Sequence, residues 1–163
     1  MVAENLIHTL EKLLQLHQNL YQVALQKTDY LKENNVDKLK ELLKKEQMFV
    51  QAIKQVEAER IQYTVEFLGT EDEVSLSACI DKAEGDNKQK LEEIAREFAS
   101  IMDKLKAVNQ LNRDLTNQAL QFVSLSLDML MPQQSISNYQ RPDGKVSQAG
   151  DLKNRQSIFD SQA

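Results

Sequence analysis

Residues 91–131 read LEEIAREFASIMDKLKAVNQLNRDLTNQALQFVSLSLDMLM. Mostly apolar residues recur in this stretch at alternating steps of three and four, a period that predicts a helix and fits neither a strand nor a loop. Pro132 ends it, and no Gly or Pro interrupts it. The row that faces one side of the helix, called the seam below, comprises Leu91, Ile94, Phe98, Ile101, Leu105, Val108, Asn112, Leu115, Ala119, Phe122, Ser126 and Met129. A helix of about forty residues is roughly 60 Å long and cannot bury its seam alone, so another part of the chain must lie along it.

The second half of this helix is apolar over more of its circumference than a seam requires. Beside the seam it carries Leu120, Val123, Leu125, Leu127, Leu130 and Met131. A helix that is apolar on nearly every side lies in a large core or keeps a second face for a partner. We predict a partner-binding face here. The alternative is an ordinary core position, covered by a short helix, by the tail or by a second copy of the chain.

Two long helices and a short one are predicted before this stretch. Apolar seams run from about residue 3 to residue 32 and from about residue 36 to residue 67, with a turn or kink at Asn34-Asn35 and an end at Gly69. Ser75 should cap a short helix over residues 76–83, and Asp86 should cap the long helix. Short connections favour antiparallel neighbours. The predicted fold class is therefore all-α: an elongated antiparallel bundle, or coiled coil, of three long helices with one short connecting helix.

Two charged residues stand at apolar positions of the second seam. Glu46 and Arg60 fall in its register between apolar neighbours. Their aliphatic stems could lie along the edge of the bundle with the charges in water. A cross-helix ion pair that fixes the register is the other interpretation.

The sequence changes character after Pro132. Residues 133–163 are rich in Ser, Gln, Asn, Asp and Gly, and they carry too few apolar side chains to offset the entropy lost on ordering. We therefore predict a helical domain at residues 1–131 and a mostly irregular, flexible C-terminal tail at residues 132–163. The tail has four basic and three acidic residues, so its formal charge is +1. Since the whole chain carries −5, the helical domain carries −6.

Composition and motifs argue against several functions. An acidic helical domain disfavours nucleic acid and anionic membranes as partners, and no apolar run is long enough for membrane insertion. His8 and His17 are nine residues apart, off one helical face, and no metal-binding, phosphate-binding or nucleophile motif is present. We expect no enzymatic activity, no metal and no cofactor.

The compartment is predicted from the N-terminus and from the cysteine content. Residues 1–4 are not followed by the basic and apolar segments of a signal peptide. Cys79 is the single cysteine, which excludes an internal disulfide and makes a reducing cytoplasm the simplest location. We interpret Cys79 as a small apolar residue of the short helix.

Two sequence features are more specific than the helical pattern. Residues 108–115, VNQLNRDL, contain Asn109, Asn112 and Leu115 in the pattern Asn-x-x-Asn-x-x-Leu, which enters an apolar helix that ends at a proline. In the tail, Tyr139 is followed by Asp143-Gly144 and then by Ser147. With the preceding helices and the acidic helical body, the chain resembles the FlgN family of flagellar export chaperones over nearly its whole length.

The resemblance implies a cytoplasmic chaperone that binds the C-terminal helices of the hook–filament junction proteins. Such a chaperone prevents premature assembly and delivers its clients to the flagellar type III export gate. Tyr139 matches the tail tyrosine that docks on the cytosolic domain of the export-gate membrane protein. Together with the apolar face, the resemblance assigns client binding to Leu115, Leu120, Val123, Leu127, Leu130 and Met131.

Two points stay open in this interpretation. The additional tail, residues 148–163 with Ile158-Phe159 near its end, departs from the family pattern, so Tyr139 need not be the only tail contact. As a chaperone, the chain should be a monomer or a weak homodimer. The alternative function is a structural coiled-coil adaptor whose apolar end makes an obligate homodimer.

Overall fold

The structure, a computed structural model, describes residues 1–131. In that range the chain forms α1 (Val2–Lys32), α2 (Val36–Leu68), α3 (Leu76–Lys82) and α4 (Gly85–Leu130). The three long helices pack against one another, and α3 connects α2 with α4, which confirms the predicted fold class. The chain divides after Ser124, so residues 1–124 form one compact unit and the described residues 125–131 belong to the next. Tyr139 and the Ile158-Phe159 ending lie outside the described residues.

Short polar residues and glycines set the helix ends near the predicted positions. Asn34 adopts the left-handed conformation with a φ of 53°, and the Asn35 side chain accepts a hydrogen bond of 3.2 Å from the Lys38 backbone N–H at the start of α2. Gly69, with a φ of 74°, ends α2 in the left-handed conformation that glycine adopts most readily. Ser75 caps α3 by accepting a hydrogen bond of 3.1 Å from the backbone N–H of Ala78.

The long helix begins earlier than predicted. α4 starts at Gly85, before the residue that was expected to cap it, so its first turn already includes Asp86. The Asp86 carboxylate therefore lies inside that turn, where the positive end of the helix dipole favours a negative charge, and it does not act as the expected cap.

The core shows that α1 and α4 run in the same direction. Near their starts, Leu6 and Leu10 of α1 pack in one buried cluster with Leu91 of α4, while further along Thr28 of α1 contacts Asn112 of α4. α2 runs in the opposite direction, because Lys27 near the end of α1 pairs with Glu46, and Lys12 near its start pairs with Glu59. The first cluster also contains Cys79 and Ala83, because α3 packs where α1 and α4 begin. α3 therefore does not cover the second half of α4, which was one of the alternatives.

Glu46 and Arg60, the two charged residues of the second seam, form different kinds of ion pair. Glu46 of α2 forms an ion pair of 3.0 Å with Lys27 of α1, and both side chains are 26% exposed. The cross-helix interpretation is therefore confirmed for Glu46. Arg60 instead pairs with Glu57 at 2.6 Å, one turn earlier in α2.

Candidate functional site

The first half of α4 is sealed by the rest of the bundle. Its seam residues Leu91, Ile94, Ile101, Leu105 and Val108 are all buried, with exposed fractions between 1% and 7%. Phe98 is half-buried and meets His17 of α1 in an edge-to-face contact with ring centroids 5.5 Å apart. This half of the helix stabilises the fold and presents no continuous apolar surface to a partner.

The sealed half ends at a buried polar contact. Asn112 is 5% exposed, and its side-chain N–H donates a 2.9 Å hydrogen bond to the backbone carbonyl of Ala24 in α1. The Thr28 hydroxyl donates a 2.6 Å hydrogen bond to the side-chain oxygen of Asn112. Because every polar atom of Asn112 that is buried here has a partner, one relative position of α1 and α4 is favoured over others.

The two asparagines of the family motif therefore have different environments. Asn112 is buried against α1, whereas Asn109, three residues earlier on a neighbouring side of the helix, is exposed. The spacing of the seam already separates the two residues, because Asn112 is a seam residue and Asn109 is not. Asn112 therefore fixes the position of α4 on α1, whereas Asn109 lies at the surface.

The second half of α4 has the same seam but is open. Leu115 is half-buried, and then every residue from Thr116 to Leu125 is exposed, including Phe122 at a seam position. Leu120 and Val123 are 63% and 53% exposed, although each has a large apolar side chain. α1 ends at Lys32, one turn past its contact with Asn112, so it does not cover the residues of α4 that follow.

A groove of about 660 Å³ lies where α1 stops alongside α4. One wall is formed by the end of α1 and the following turn, through Leu31, Lys32 and Asn34. The other wall is α4, through Leu115, Gln118, Ala119, Phe122 and Val123. Most of the lining residues are apolar, and Lys32, Asn34 and Gln118 are the polar ones, so the groove fits an apolar side chain of an amphipathic partner.

The described residues after Ser124 are also apolar and exposed. Leu127, Leu130 and Met131 are exposed by 51%, 79% and 74%, and Leu125 and Met129 are exposed as well. Isolated exposed leucines are normal on a protein surface, but a consecutive set on one helix is not. An arrangement of this kind binds another apolar surface.

Five of the six residues assigned to client binding are thus exposed, and Leu115 is half-buried at the edge of the groove. Sequence reasoning missed the wall contributed by the end of α1. No signal in the sequence pairs Leu31 with Leu115, because the pairing depends on how far α1 extends along α4. Phe122 could have been included among the residues assigned to client binding, since it is a seam residue in the apolar second half of the helix.

Within residues 1–131, no three His, Cys, Asp or Glu side chains are placed to hold a metal ion, and no helix is both long and apolar enough to cross a membrane. Burial raises the pKa of the Cys79 thiol, an effect that the charges of Arg60 and Lys82 and a hydrogen bond with Thr64 partly offset. Cys79 is therefore a neutral core residue, which confirms its predicted role.

A helical bundle whose last helix is sealed in one half and apolar and open in the other is suited to hold a partner helix. Residues 1–147 match the FlgN family, described as FlgN protein, and the chain belongs to that family. Membership implies a flagellar export chaperone. The chain is also 38% identical to the uncharacterized protein YvyG of Bacillus subtilis (strain 168) over 164 residues that span the whole of both chains. No solved structure matches the chain.

Proposed function

We propose that this protein is a cytoplasmic chaperone that binds the C-terminal helices of the hook–filament junction proteins. It prevents their premature assembly and delivers them to the flagellar type III export gate. Residues 1–131 serve as the helical chaperone domain and residues 132–163 as a C-terminal tail. No cofactor, metal or enzymatic step is needed, because the function consists of covering and releasing an apolar helix.

The observation that carries the proposal is the open second half of α4. Leu120, Val123, Leu127, Leu130 and Met131 are each more than half exposed. Burying five such side chains under a client helix is worth roughly 8–15 kcal/mol before costs. Association itself costs about 4–15 kcal/mol, so the net binding is reversible, as release at an export gate requires.

The composition of this surface suits more than one client. Met129 and Met131 are exposed beside the leucines, and methionine adapts its shape to different neighbours. A face with few charges imposes little electrostatic selection on an incoming helix. Two junction proteins with different helices can therefore use the same surface.

The central test replaces two of the exposed leucines with aspartate. The Leu127→Asp, Leu130→Asp variant should lose at least about a hundredfold in affinity for a labelled peptide of the client's C-terminal helix, since central apolar contacts dominate such interfaces. Fluorescence anisotropy measures the affinity, and circular dichroism should show unchanged helix content. The matched control is Met48→Asp in α2, which changes an apolar side chain that is 71% exposed in another helix.

Full client binding by the double variant would refute the site. The alternative function, a coiled-coil adaptor, predicts that the same apolar surface holds two copies of this chain together. Light scattering distinguishes the two: a monomer that forms a one-to-one complex with client supports the chaperone, and a dimer that persists at nanomolar concentration supports the adaptor.

Tyr139 is proposed to dock on the cytosolic domain of the export-gate membrane protein. This proposal is supported by its position in the tail of a family member, within the matched residues 1–147. Tyr139→Ala should weaken binding to the purified cytosolic domain while client affinity stays the same, because the substitution lies outside α4. Equal affinity of both forms for the gate domain, measured by calorimetry, would remove Tyr139 from the mechanism.

A further inference from the structure

A second groove lies between α1 and α4, beside the half of α4 whose seam is buried. It has a volume of about 490 Å³. Side-chain amides line its α1 wall: Gln15, Gln18, Asn19 and Gln22. The α4 wall carries Glu97 and Lys104, whose opposite charges cancel. We refer to it as the amide-lined groove, and to the groove of about 660 Å³ at the end of α1 as the apolar groove.

The two grooves lie on the same side of the pair formed by α1 and α4. Residues seven apart in a helix are about two turns apart and face the same side. In α1 this spacing leads from Gln18 of the amide-lined groove through Leu25 to Lys32 of the apolar groove. In α4 it leads from Lys104 through Leu111 to Gln118. A partner that follows this side therefore meets both grooves and the two leucines between them.

Leu25 and Leu111 stand at one level between the grooves. The side-chain N–H of Asn112 donates a 2.9 Å hydrogen bond to the Ala24 carbonyl, and each leucine is next in the chain to one of these residues. Leu25 is 38% exposed and Leu111 is 44% exposed. A single exposed leucine is ordinary, but two at the same level of neighbouring helices offer a shared apolar contact to a partner.

α2 lies on a different side of α1. It pairs with α1 through Lys12 and Lys27. Gln18 comes nine residues before Lys27, which is about two and a half helical turns, so the two side chains point to opposite sides of α1. The side that carries the two grooves therefore has room for another helix, which would make a four-helix bundle of α1, α2, α4 and the partner.

The length and chemistry of this side fit an amphipathic helix. From Gln15 to Lys32, α1 extends for about 26 Å, the length of a helix of about 17 residues. Leu25, Leu111 and the apolar groove match a stripe of apolar side chains on the partner. Amides both donate and accept hydrogen bonds, so the amide-lined groove matches uncharged polar side chains beside that stripe.

We propose that the client helix lies along α1 and α4 as the fourth helix of the bundle. Its apolar stripe contacts the apolar groove, Leu25 and Leu111, and its uncharged polar side chains contact the amide-lined groove. This inference rests on the proposed function, because it extends the client surface to α1 and to the first half of α4.

The first experiment measures the affinity for the labelled peptide of the client's C-terminal helix by fluorescence anisotropy. The Leu25→Asp, Leu111→Asp variant should bind at least about tenfold more weakly than the natural sequence, because two apolar contacts are lost. The matched control is Leu43→Asp, Val50→Asp in α2, whose side chains are 45% and 38% exposed and which should bind normally. Circular dichroism should show the same helix content in all three proteins.

The second experiment leaves the leucines unchanged. A photoreactive maleimide is attached to Gln22→Cys in the amide-lined groove or to Gln55→Cys, which is exposed on α2. Cys79 is buried with a raised thiol pKa, so it should not react with the maleimide. After irradiation with the labelled peptide, we expect at least tenfold more crosslinked peptide from position 22 than from position 55.

The outcomes separate this inference from the proposed function. Unchanged affinity in the Leu25→Asp, Leu111→Asp variant, or equal crosslinking from the two positions, would overturn the inference. The proposed function would survive that result if Leu127→Asp, Leu130→Asp still abolished binding of the peptide. Crosslinks from position 22 that join two copies of the chain would show that a second copy fills the groove, which also overturns the inference. If the peptide does not bind the natural sequence, the proposed function fails and the inference fails with it.

Discussion

The two halves of α4 carry one seam but differ in what covers it. From Leu91 to Asn112 the seam side chains pack against α1, α2 and α3, and most of them are buried. From Leu115 onward the same spacing continues, yet the seam residues Phe122 and Met129 are 72% and 84% exposed, and Leu120 and Val123 beside the seam are exposed as well. Nothing in the repeat itself changes at the boundary.

The difference shows that an apolar repeat predicts which side of a helix is apolar. It does not predict whether another part of the protein covers that side. Cover depends on the length of the neighbouring helices. Since α1 ends at Lys32, shortly after its contact with Asn112, the bundle stops covering α4 at that level. The open half is therefore a property of mismatched helix lengths, and it supplies the surface on which the proposed function depends.

The largest expected effect is the difference in stability between a leucine-to-alanine substitution in the sealed half and one in the open half. Leu105→Ala, at a residue that is 5% exposed, should lower the free energy of unfolding by about 2–5 kcal/mol, because it leaves a cavity in the core. Leu120→Ala should change it by less than about 0.5 kcal/mol, because the side chain is already in water. Urea denaturation followed by circular dichroism measures both.

Equal losses in the two variants would mean that the second half of α4 is buried in solution and that the contrast between the halves is wrong. The pair is well matched, since both substitutions replace leucine by alanine within one helix and neither changes the charge.

A smaller effect is expected at the boundary between the halves. Asn112→Ala should cost about 1–3 kcal/mol, because it removes two buried hydrogen bonds, one from the Thr28 hydroxyl and one to the Ala24 carbonyl. Asn109→Ala, at the exposed asparagine of the same motif, should be nearly neutral. Thermal unfolding of the two variants gives the comparison.

A double variant sharpens the test of the boundary. Asn112→Leu with Thr28→Val replaces both hydrogen-bonding partners by apolar groups and should recover much of the lost stability. If Asn112→Ala were as harmless as Asn109→Ala, the polar contact would not fix the position of α4 on α1.

The smallest effect concerns pH and the cluster at the start of α4. The pKa of Cys79 is raised in the folded protein, so the folded state keeps the thiol proton at pH values where the unfolded chain releases it. The associated stability is complete below the ordinary thiol pKa of about 8.5 and is lost as the pH rises above it. The free energy of unfolding should thus fall more steeply between neutral and alkaline pH than in Cys79→Ala.

Parallel pH profiles of the two proteins would contradict the burial of Cys79 beside Leu91. The comparison uses slopes and not absolute stabilities, because the alanine variant also loses packing in the cluster. Other titrating groups are the same in both proteins and cancel in the difference.

Much of the fold could be predicted because its signals are local. Asn35, Gly69 and Ser75 end or start helices through their own side chains or backbone freedom, and the structure places them as expected. The start of α4 was missed, since Asp86 is equally favourable as a cap and inside a first turn. Glu46 and Arg60 could not be told apart, because Lys27 is distant in sequence.

The candidate site was predicted less completely than the fold. The excess of apolar residues from Leu120 to Met131 is visible in the sequence. The role of these residues in client binding stays a prediction. The groove wall at Leu31 and Lys32 could not be predicted, and neither could the hydrogen-bond partners of Asn112 in α1. Each of these depends on contacts between residues that are far apart in the chain.

The helices, their apolar sides and most of their ends follow from the order of the residues alone, because periodicity, caps and glycines act within a few residues. Which part of α4 is sealed and which is open follows only from the packing of the helices, because it depends on the lengths of α1 and α4 and on the position at which Asn112 holds them together.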